Sequence, residues 1–419
     1  MHVIYLHQYF NTRYGYTGTR SYEFARRLVA QGHRVSMITA APGRLPAEGL
    51  ALPAGRTYAE IDVEGINVVP IAAGYANSQA MTGMGGYARM RTFMSFARLA
   101  TKVGRQLQRP DVVFATSTPL TIGIPGRDIA RHFGVPFVFE IRDVWPDALV
   151  NVGALRNPAA IWWMRRLARK LYGAAAHIVA LSPGMKAGVV AAGVDPDRVS
   201  VIPNSSDIDL FRPDLDGSAQ RARLGLGGNF AAVYFGAMGH ANGLEYAVEA
   251  ADLLEQRKRT DIRIVLHGHG GRRTALEEMV RQRGLNNVVF SDPVPDKAEV
   301  ARIVAACDAC LTIYAHTDVE QSWSPNKMFD ALAAGKPVLI NVAGWLGETI
   351  ENNACGRYVD PRNPADLTDA LCALADDPQL RQRQGTNARA LAEREFSRDR
   401  LADKLIAILQ QAADRRATK

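Results

Sequence analysis

Short, almost wholly apolar runs alternate along the first half of the chain with longer segments in which apolar residues recur every three or four positions. Such runs are typical of strands buried on both faces of a parallel sheet. They predict strands at 2–6, 34–39, 66–71, 111–115, 136–141 and 177–181. Segment 19–31 places Phe24, Ala25, Leu28 and Val29 on one helical stripe and ends before Gly32. The repeated βαβ units predict an α/β fold with a doubly wound sheet.

The same pattern starts again after a polar, proline-containing stretch at 204–213, which we interpret as a linker. Strands are predicted at 231–235, 262–266, 288–290, 309–314 and 337–342, and helices at 243–256, 272–283, 296–306 and 326–334. We therefore predict two consecutive Rossmann-like domains, 1–203 and 204–396. A final helical segment, 397–419, could pack back on the first domain.

Charge divides the chain in the same place. Residues 1–203 hold 23 Lys and Arg against 12 Asp and Glu, whereas the rest of the chain holds 27 against 30. The formal net charge of +8 is thus the sum of a basic half and a slightly acidic half, which favours different partners for the two. Nucleic acid, an anionic membrane and an anionic substrate all fit a basic half.

Two basic amphipathic segments narrow this choice. Segment 89–109 carries a stripe of cations opposite an apolar stripe, and its cations are Arg91, Arg98, Lys102, Arg105 and Arg109. Segment 161–172 combines Trp162 and Trp163 with further cations. This pattern favours an anionic membrane surface. The alternative is a core-packing stripe with a solvated basic face. Nucleic acid is not expected, because the chain contains no recognition module.

The cysteines and the lengths of the apolar runs indicate the cellular compartment of the protein. Cys307 and Cys310 form a CxxC without a second pair, so we interpret them as helix-to-strand packing rather than a zinc site. Free thiols fit a reducing cytosol. No apolar run approaches about 20 residues, so neither a signal peptide nor a membrane span is expected. We expect no metal or cofactor, since no Asp-x-Asp motif stands in a suitable loop.

Glycine-rich loops follow the first strand of each domain, where backbone N–H groups can approach an anion. In the first domain these are Gly15 and Gly18, but the spacing is not GxGxxG and the second strand ends in Thr39, which disfavours NAD. A simple glycine turn before a capped helix is the alternative. In the second domain, the loops GAMGHANG (236–243) and HGHGG (267–271) supply Gly236, His240, Asn242, Gly243 and Gly268.

The segment SWSPNKMFD (322–330) is the most informative local feature. Ser324 is expected to cap a helix that has Pro325 at its first position. Lys327 then lies in the first turn, where the helix dipole disfavours a cation unless an anion is bound there too. Asp330 shares its face and could accept hydrogen bonds from a ribose. The alternative is an ordinary surface pair of Lys327 with Asp330.

Three charged residues stand at the end of a buried strand in FEIRDVWP: Glu140, Arg142 and Asp143. Unpaired charge is costly to bury, so such a cluster usually indicates a site. The alternative is that Arg142 pairs with a carboxylate and organises the loop.

As a set, these motifs resemble the family-four retaining glycosyltransferases of GT-B fold. Within this family, the chain most resembles the bacterial branch that builds O-antigen, capsule and exopolysaccharide, including N-acetyl-fucosamine-type transferases. The motifs are HQYF with the Gly15/Gly18 loop, TRSYEFARRL, EIRDVWP, GAMGHANGLE and SPNKMFDALAAGKPV. The resemblance implies two Rossmann-like domains facing across a cleft, a nucleotide-sugar bound to the second, and a lipid-diphosphate-linked or saccharide acceptor bound to the first.

The resemblance also implies roles for single residues. Asp143, Arg142 and Lys327 are the expected catalytic residues. Gly15, Gly18, Ser322 and Asn326 join the second-domain loops and Asp330 in donor binding, with Val294 as a backbone contact for the base. A UDP-linked HexNAc is the leading donor, and the expected location is the cytoplasmic face of the plasma membrane.

Some positions depart from the family pattern. The usual Arg and Lys of the loop after the second domain's first strand align with Ala237 and Asn242, and Ser322 replaces the first residue of an acidic pair. Three alternatives therefore remain open: a GT-B nucleotide-sugar 2-epimerase, a sugar-phosphate synthase with a soluble acceptor, and a non-catalytic membrane-associated protein that binds nucleotide-sugars.

Overall fold

The computed structural model describes residues 1–12, 19–41, 52–53, 55–73, 85–151, 153, 155–294, 296–316 and 323–417. The chain forms two compact units. The first comprises Met1–Pro203 together with Leu401–Lys419, and the second comprises Asn204–Arg400.

Within the described residues, the first unit is built on a sheet of eight strands. In chain order they are β1 His2–Leu6, β2 Arg34–Ala40, β3 Ile61–Val63, β4 Ile66–Ile71, β5 Val112–Thr116, β6 Phe137–Ile141, β7 His177–Ala180 and β8 Val199–Val201. Its helices are α1 Arg20–Ala30, α2 Gly86–Gly104, α3 Gly123–Phe133, α4 Asp147–Asn151, α5 Pro158–Ala174 and α6 Pro183–Ala191. The spatial order is β3-β4-β2-β1-β5-β6-β7-β8, in which only the β3–β4 pair is antiparallel. The strand order reverses between β1 and β5.

In the second unit, the part of the chain that the structure describes forms a parallel sheet of six strands. They are β9 Phe230–Phe235, β10 Ile262–His267, β11 Val288–Ser291, β12 Ala309–Thr312, β13 Val338–Ile340 and β14 Gly356–Tyr358. Its helices are α7 Ser218–Arg223, α8 Glu245–Gln256, α9 Arg273–Gln282, α10 Lys297–Ala305, α11 Asn326–Ala333, α12 Trp345–Asn352, α13 Pro364–Asp376 and α14 Pro378–Leu391. The spatial order is β11-β10-β9-β12-β13-β14, so the order reverses between β9 and β12. Two parallel-sheet α/β units confirm the predicted fold class.

Apolar residues cover both faces of each sheet, as the nearly continuous apolar strands require. In the first unit, alternate residues of β1 enter different clusters: Ile4 and Leu6 pack on one face, and Val3 and Tyr5 on the other. The second cluster is completed from the other end of the chain. Helix α15, Arg398–Ala417, contributes Leu401, Leu405 and Leu409 to it.

Helix α2 buries the apolar stripe of its amphipathic sequence and exposes the basic one. Phe93, Phe96, Ala100 and Val103 are buried in the core, while the exposed face carries cations such as Arg98. The apolar stripe of this helix therefore packs in the core, as in the core-packing alternative, and membrane binding by its basic face stays a prediction. Among the described residues, no helix is both long and apolar enough to span a bilayer.

Most predicted helices and strands begin and end within one or two residues of the predicted bounds. Three of the described strands, β3, β8 and β14, are not predicted by the sequence pattern. Each has three residues and lies at a sheet edge, so it lacks the buried apolar run that marks the inner strands. The predicted cap of α11 is also wrong. The helix begins at Asn326 after Pro325, with no side-chain cap, because the Ser324 hydroxyl accepts a hydrogen bond from the Asn204 backbone at 2.9 Å.

Candidate functional site

Ligands of open α/β sheets bind beyond the carboxyl ends of the strands where the strand order reverses. In the second unit this place is occupied by the segments that follow β9 and β12. Gly236 directly follows β9, and α11 follows β12 through residues 313–325. In the first unit the equivalent segments follow β1 and β5, and Arg142 and Asp143 follow the adjacent β6.

Lys327 lies in the first turn of α11, and two tyrosines hold its ammonium group at the end of β9. Its Nζ donates a hydrogen bond to Tyr234 Oη at 2.6 Å and lies 3.8 Å from the centre of that ring. The Tyr314 ring centre is 4.8 Å away. No carboxylate of the described residues forms an ion pair with Lys327. Burial lowers the pKa of Lys327 to about 7.

Close backbone packing brings the glycine loops against this lysine. A methyl group placed on Gly236 would lie 3.5 Å from Lys327 Cε and 3.6 Å from its Nζ. One placed on Gly268 would lie 2.0 Å from the Gly236 carbonyl oxygen, and φ at Gly268 is +137°. The loops after β9 and β10 can therefore be this close only because Gly268 lacks a side chain.

The rest of the loop after β9 forms a short 3₁₀ turn, His240–Asn242, before α8. Asn242 accepts a hydrogen bond from the Gly239 backbone at 3.1 Å, and His240 is exposed. Gly243 has φ of +53° and approaches the backbone of Ala315, where a Cβ would lie 2.7 Å from Cα. The loop supplies backbone groups and an amide, but no cation at Ala237 or Asn242.

Asp330 does not pair with Lys327, so the interpretation of these two residues as a surface ion pair is wrong. Its carboxylate is buried and accepts a hydrogen bond from Lys297 Nζ at 3.2 Å. Asn326 is exposed at the start of α11, and Val294 is partly buried in the loop after β11. Ser322 lies outside the described residues. The donor-binding roles of these residues remain predictions.

Sequence reasoning missed Tyr234, Tyr314, Lys297 and Arg273. Arg273 donates a hydrogen bond to the Gly268 carbonyl at 2.8 Å and pairs with Asp292 at 2.8 Å. Tyr234 and Lys297 act on groups that are 93 and 33 positions away in sequence, and no local motif marks any of the four residues. The one available signal was a tyrosine at the second-last position of a buried strand, where it can reach the strand's carboxyl end.

In the first unit, Glu140 proves to have a structural partner. It is fully buried at the end of β6, and Arg20 donates to its Oε1 from Nε at 3.0 Å and from a terminal nitrogen at 2.8 Å. Arg20 also donates to the backbone carbonyls of Ile202 and Pro203. These contacts connect α1 to the ends of β6 and β8. Because Arg20 and Glu140 pair with each other, neither charge is buried without a partner.

Arg142 and Asp143 lie directly beyond the carboxyl end of β6. A terminal nitrogen of Arg142 lies 3.5 Å from His7 Nε2. No described carboxylate forms an ion pair with Arg142, so for the described residues the alternative of an Arg142–carboxylate pair is wrong. Desolvation by the surrounding protein, opposed by a 2.7 Å hydrogen bond from Thr118, raises the pKa of Asp143. Burial, together with the Arg142 charge, lowers the pKa of His7 well below its usual value. Gly15 and Gly18 lie outside the described residues.

Cys307 and Cys310 are both buried free thiols, which confirms their interpretation as packing residues. Within the part of the chain that the structure describes, no group of three or more His, Cys, Asp and Glu side chains is arranged to hold a metal ion.

Comparison with known proteins agrees with this arrangement. The chain is 28% identical over 405 residues to WcaI of Escherichia coli (strain K12), a protein assigned as a colanic acid biosynthesis glycosyl transferase; the match covers 93% of the chain and 94% of WcaI. It is 27% identical over 278 residues to a D-inositol 3-phosphate glycosyltransferase of Pseudarthrobacter chlorophenolicus, covering 65% of the chain. This second match spans 64% of the relative, slightly under two thirds of its length.

Among solved structures, Anabaena HepE in complex with UDP shares the fold, with a TM-score of 0.74 at 19% identity over 98% of this chain and 100% of that chain. Residues 17–205 match the family described as glycosyl transferase 4-like domain, and residues 218–391 match that described as glycosyl transferases group 1. These two matches cover most of the chain, one on each side of the linker. The chain therefore joins a glycosyl transferase 4-like domain to a glycosyl transferases group 1 domain, and it has the GT-B fold.

Proposed function

We propose that the protein transfers a sugar from a nucleoside diphosphate sugar to a lipid-diphosphate-linked or saccharide acceptor in the assembly of a bacterial surface polysaccharide. The observation that carries this proposal is the Lys327 ammonium, held by Tyr234 beside Gly236 without a described acidic partner. A transferase that releases a nucleoside diphosphate needs positive charge at this place in the sheet, since negative charge grows on the departing phosphate.

Three features of the surroundings favour an anion at Lys327. The first turn of a helix disfavours a cation that has no anion beside it. Acidic groups of the helices that follow β12 and β9 are engaged elsewhere: Asp330 of α11 pairs with Lys297, and Glu245 in the first turn of α8 pairs with Arg272. Gly236 is exposed and has no side chain, so a ligand can come close to the backbone beside Lys327. Lys327 supplies the charge that the loop lacks at Ala237 and Asn242.

The proposed reaction retains the configuration of the sugar. The bond between the anomeric carbon and the β-phosphate oxygen breaks, the acceptor oxygen bonds to that carbon on the same face, and the acceptor proton passes to the departing phosphate. The protein then orients the reactants and stabilises charge, and no side-chain nucleophile is required. We assign the diphosphate to Lys327 and place Arg142 and Asp143 on the acceptor-binding unit.

The finer identities rest on similarity. HepE, which shares the fold, was solved with UDP, and this supports uridine as the nucleoside. An N-acetylhexosamine as the sugar rests on the sequence motifs. A lipid-linked acceptor would place the reaction at the cytoplasmic face of the plasma membrane.

Replacement of Lys327 by alanine tests the phosphate assignment. Titration calorimetry of Lys327→Ala should show UDP affinity reduced by about tenfold to a hundredfold, the usual worth of a charged hydrogen bond. Affinity for uridine, which lacks the phosphates, should stay within about twofold. The exposed Lys258→Ala variant of the same unit is the control, and it should bind UDP normally. Equal losses for UDP and uridine would exclude the phosphate role.

A nucleotide-sugar-binding protein without transferase activity is the second candidate. It is favoured by the replacement of the two usual loop cations by Ala237 and Asn242. Release of UDP from UDP-N-acetylglucosamine and related donors, measured with bacterial lipid extract as acceptor, separates the two. Tight donor binding with no release from any donor would support the binding protein.

A further inference from the structure

Helix α5 exposes two adjacent tryptophans on the surface of the first unit. Among the described residues, the large apolar side chains that are exposed are Tyr87, Trp162 and Trp163, at 81%, 60% and 41%. Single exposed apolar residues are common in proteins, but two neighbouring indoles on one helix form a patch that costs free energy in water.

The charged residues of α5 itself are all positive. Arg166, Arg169 and Lys170 are exposed on the same helix, and the Arg166 guanidinium carbon lies 5.9 Å from the centre of the Trp162 ring. Arg165 is the exception in this group, since it pairs with Asp147 at 2.8 Å. The sequence of α5 contains no acidic residue. The exposed face therefore combines indoles with uncompensated cations.

The opposite face of α5 fixes this orientation. Met164, Ala168, Leu171 and Tyr172 are buried in the core of the first unit. The helix is thus anchored by its own apolar stripe, and its tryptophans lie outside that stripe. The two tryptophans are therefore not part of the buried core of the first unit.

Helix α2 provides an internal comparison. Its cations Arg98 and Lys102 are exposed like those of α5, but its apolar stripe is buried and its exposed face carries no large apolar residue beyond Tyr87 near its start. Such a helix can attract an anionic surface, yet it has nothing to insert into one. The sequence patterns of the two helices do not reveal this difference.

We propose that α5 docks the protein on an anionic lipid bilayer, with Trp162 and Trp163 at the level between headgroups and acyl chains. Indole rings prefer this level of a membrane, and neighbouring arginines and lysines bind anionic headgroups. Charge complementarity excludes a neutral bilayer as the best partner. The inference deepens the proposed function, because it names the surface that would bring the enzyme to a lipid-linked acceptor.

Sedimentation of the full chain with vesicles tests the docking. We expect binding to vesicles of phosphatidylglycerol with phosphatidylethanolamine and much weaker binding to phosphatidylcholine vesicles. Bromine on the acyl chains should quench tryptophan fluorescence of the bound protein. A Trp162→Ala/Trp163→Ala double variant should lose on the order of tenfold in vesicle affinity and lose the quenching, because buried apolar area sets interfacial affinity.

Matched variants separate insertion from general attraction. Tyr87→Ala, which removes the other exposed large ring, should bind vesicles as the unmodified protein does. Arg166→Gln/Arg169→Gln should weaken binding more than Arg98→Gln/Lys102→Gln, although both pairs remove two exposed cations. Equal losses from the two pairs would contradict a specific role for α5, and so would full binding by the double tryptophan variant.

Two further outcomes would overturn the inference. Equal binding to neutral and anionic vesicles would remove the charge argument, and binding to single-stranded oligonucleotides without binding to vesicles would favour nucleic acid instead. UDP titration of the same samples keeps the proposals apart. Retained UDP affinity without vesicle binding contradicts the docking surface alone, and vesicle binding without UDP affinity contradicts the proposed function alone.

Discussion

The surroundings of Lys327 have opposing effects on the protonation of its amine. The tyrosine rings around its Nζ favour a cation, and the Tyr234 hydroxyl accepts one of its hydrogen bonds. Burial acts in the opposite direction and lowers its pKa to about 7. A diphosphate would restore the charge, because an adjacent anion raises the pKa of a lysine.

This balance predicts a pH dependence of nucleotide binding. Above pH 7 the unliganded lysine loses its proton, so UDP affinity should fall by up to about tenfold for each further pH unit. The terminal phosphate of UDP titrates near pH 6 and adds no opposing change in this range. Calorimetry at pH 7, 8 and 9 in buffers of different ionisation enthalpy should also show proton uptake on binding. The Lys327→Arg variant should bind UDP with no such dependence, because a guanidinium stays charged. Constant affinity of the unmodified protein would contradict the argument.

Tyr234 is expected to act through Lys327 rather than on a ligand. Its hydroxyl accepts from Nζ and donates to the Ala237 carbonyl, both at 2.6 Å. Tyr234→Phe should lower UDP affinity by about tenfold, corresponding to one lost hydrogen bond to a charged group. It should also move the pH midpoint of binding downwards, because the charged lysine loses an acceptor.

Tyr246→Phe is the control for this effect. It removes a hydrogen bond to the Asp360 carbonyl in the same unit and should leave the pH midpoint unchanged. A shifted midpoint in both variants would indicate a general structural effect.

Whether a contact of a residue could be predicted depends on how far apart the two partners lie in the sequence. The position of Lys327 in a first helical turn could be predicted, because it depends on its immediate neighbours. The partners Tyr234 and Arg20 could not be, because they lie 93 and 120 positions from the groups they bind. Glu140 was marked as unusual by its buried strand, but nothing local distinguished a satisfied pair from a catalytic carboxylate.

At the level of elements, the approach of β9 to β10 depends on glycine. Gly268→Ala should place a methyl group against the Gly236 carbonyl and destabilise the second unit by about 1–3 kcal/mol, as overpacking usually does. Gly271→Ala, in the same loop but with no atom within 4 Å of the added methyl group, should change stability by less than about 0.5 kcal/mol. Urea unfolding of the two variants measures the difference, and equal stabilities would contradict the close-packing argument.

The elements themselves were predictable where burial is complete. Inner strands such as β1 and β9 carry uninterrupted apolar runs, and their predicted and observed bounds nearly agree. Edge strands such as β3 and β14 lack that signal, because only part of each is covered. Helices α2 and α5 show a second limit: both have amphipathic sequences, and only tertiary packing decides whether aromatic residues lie inside or outside.

At the level of the molecule, the first unit is assembled from both ends of the chain. Leu405 of α15 is fully buried among residues of β1, β2 and β5. Leu405→Ala should destabilise the first unit by about 2–5 kcal/mol, the usual cost of such a cavity. Hydrogen exchange should become faster in β1 and β5 and stay unchanged in β9 and β10. The exposed Lys404→Ala variant should show neither change, and acceleration in both units would contradict an effect confined to the first.

The contribution of α15 has a consequence for the order of events during synthesis. A ribosome releases residues 1–203 long before residues 401–409, so one apolar face of the first sheet waits for its cover while the whole second unit is made. The second unit contains all its own strands and helices in one continuous stretch and can fold as it emerges. The half of the protein that is translated first is therefore the half that is completed last. In that interval, chaperones have an exposed surface to protect, formed by side chains such as Val3 and Phe114.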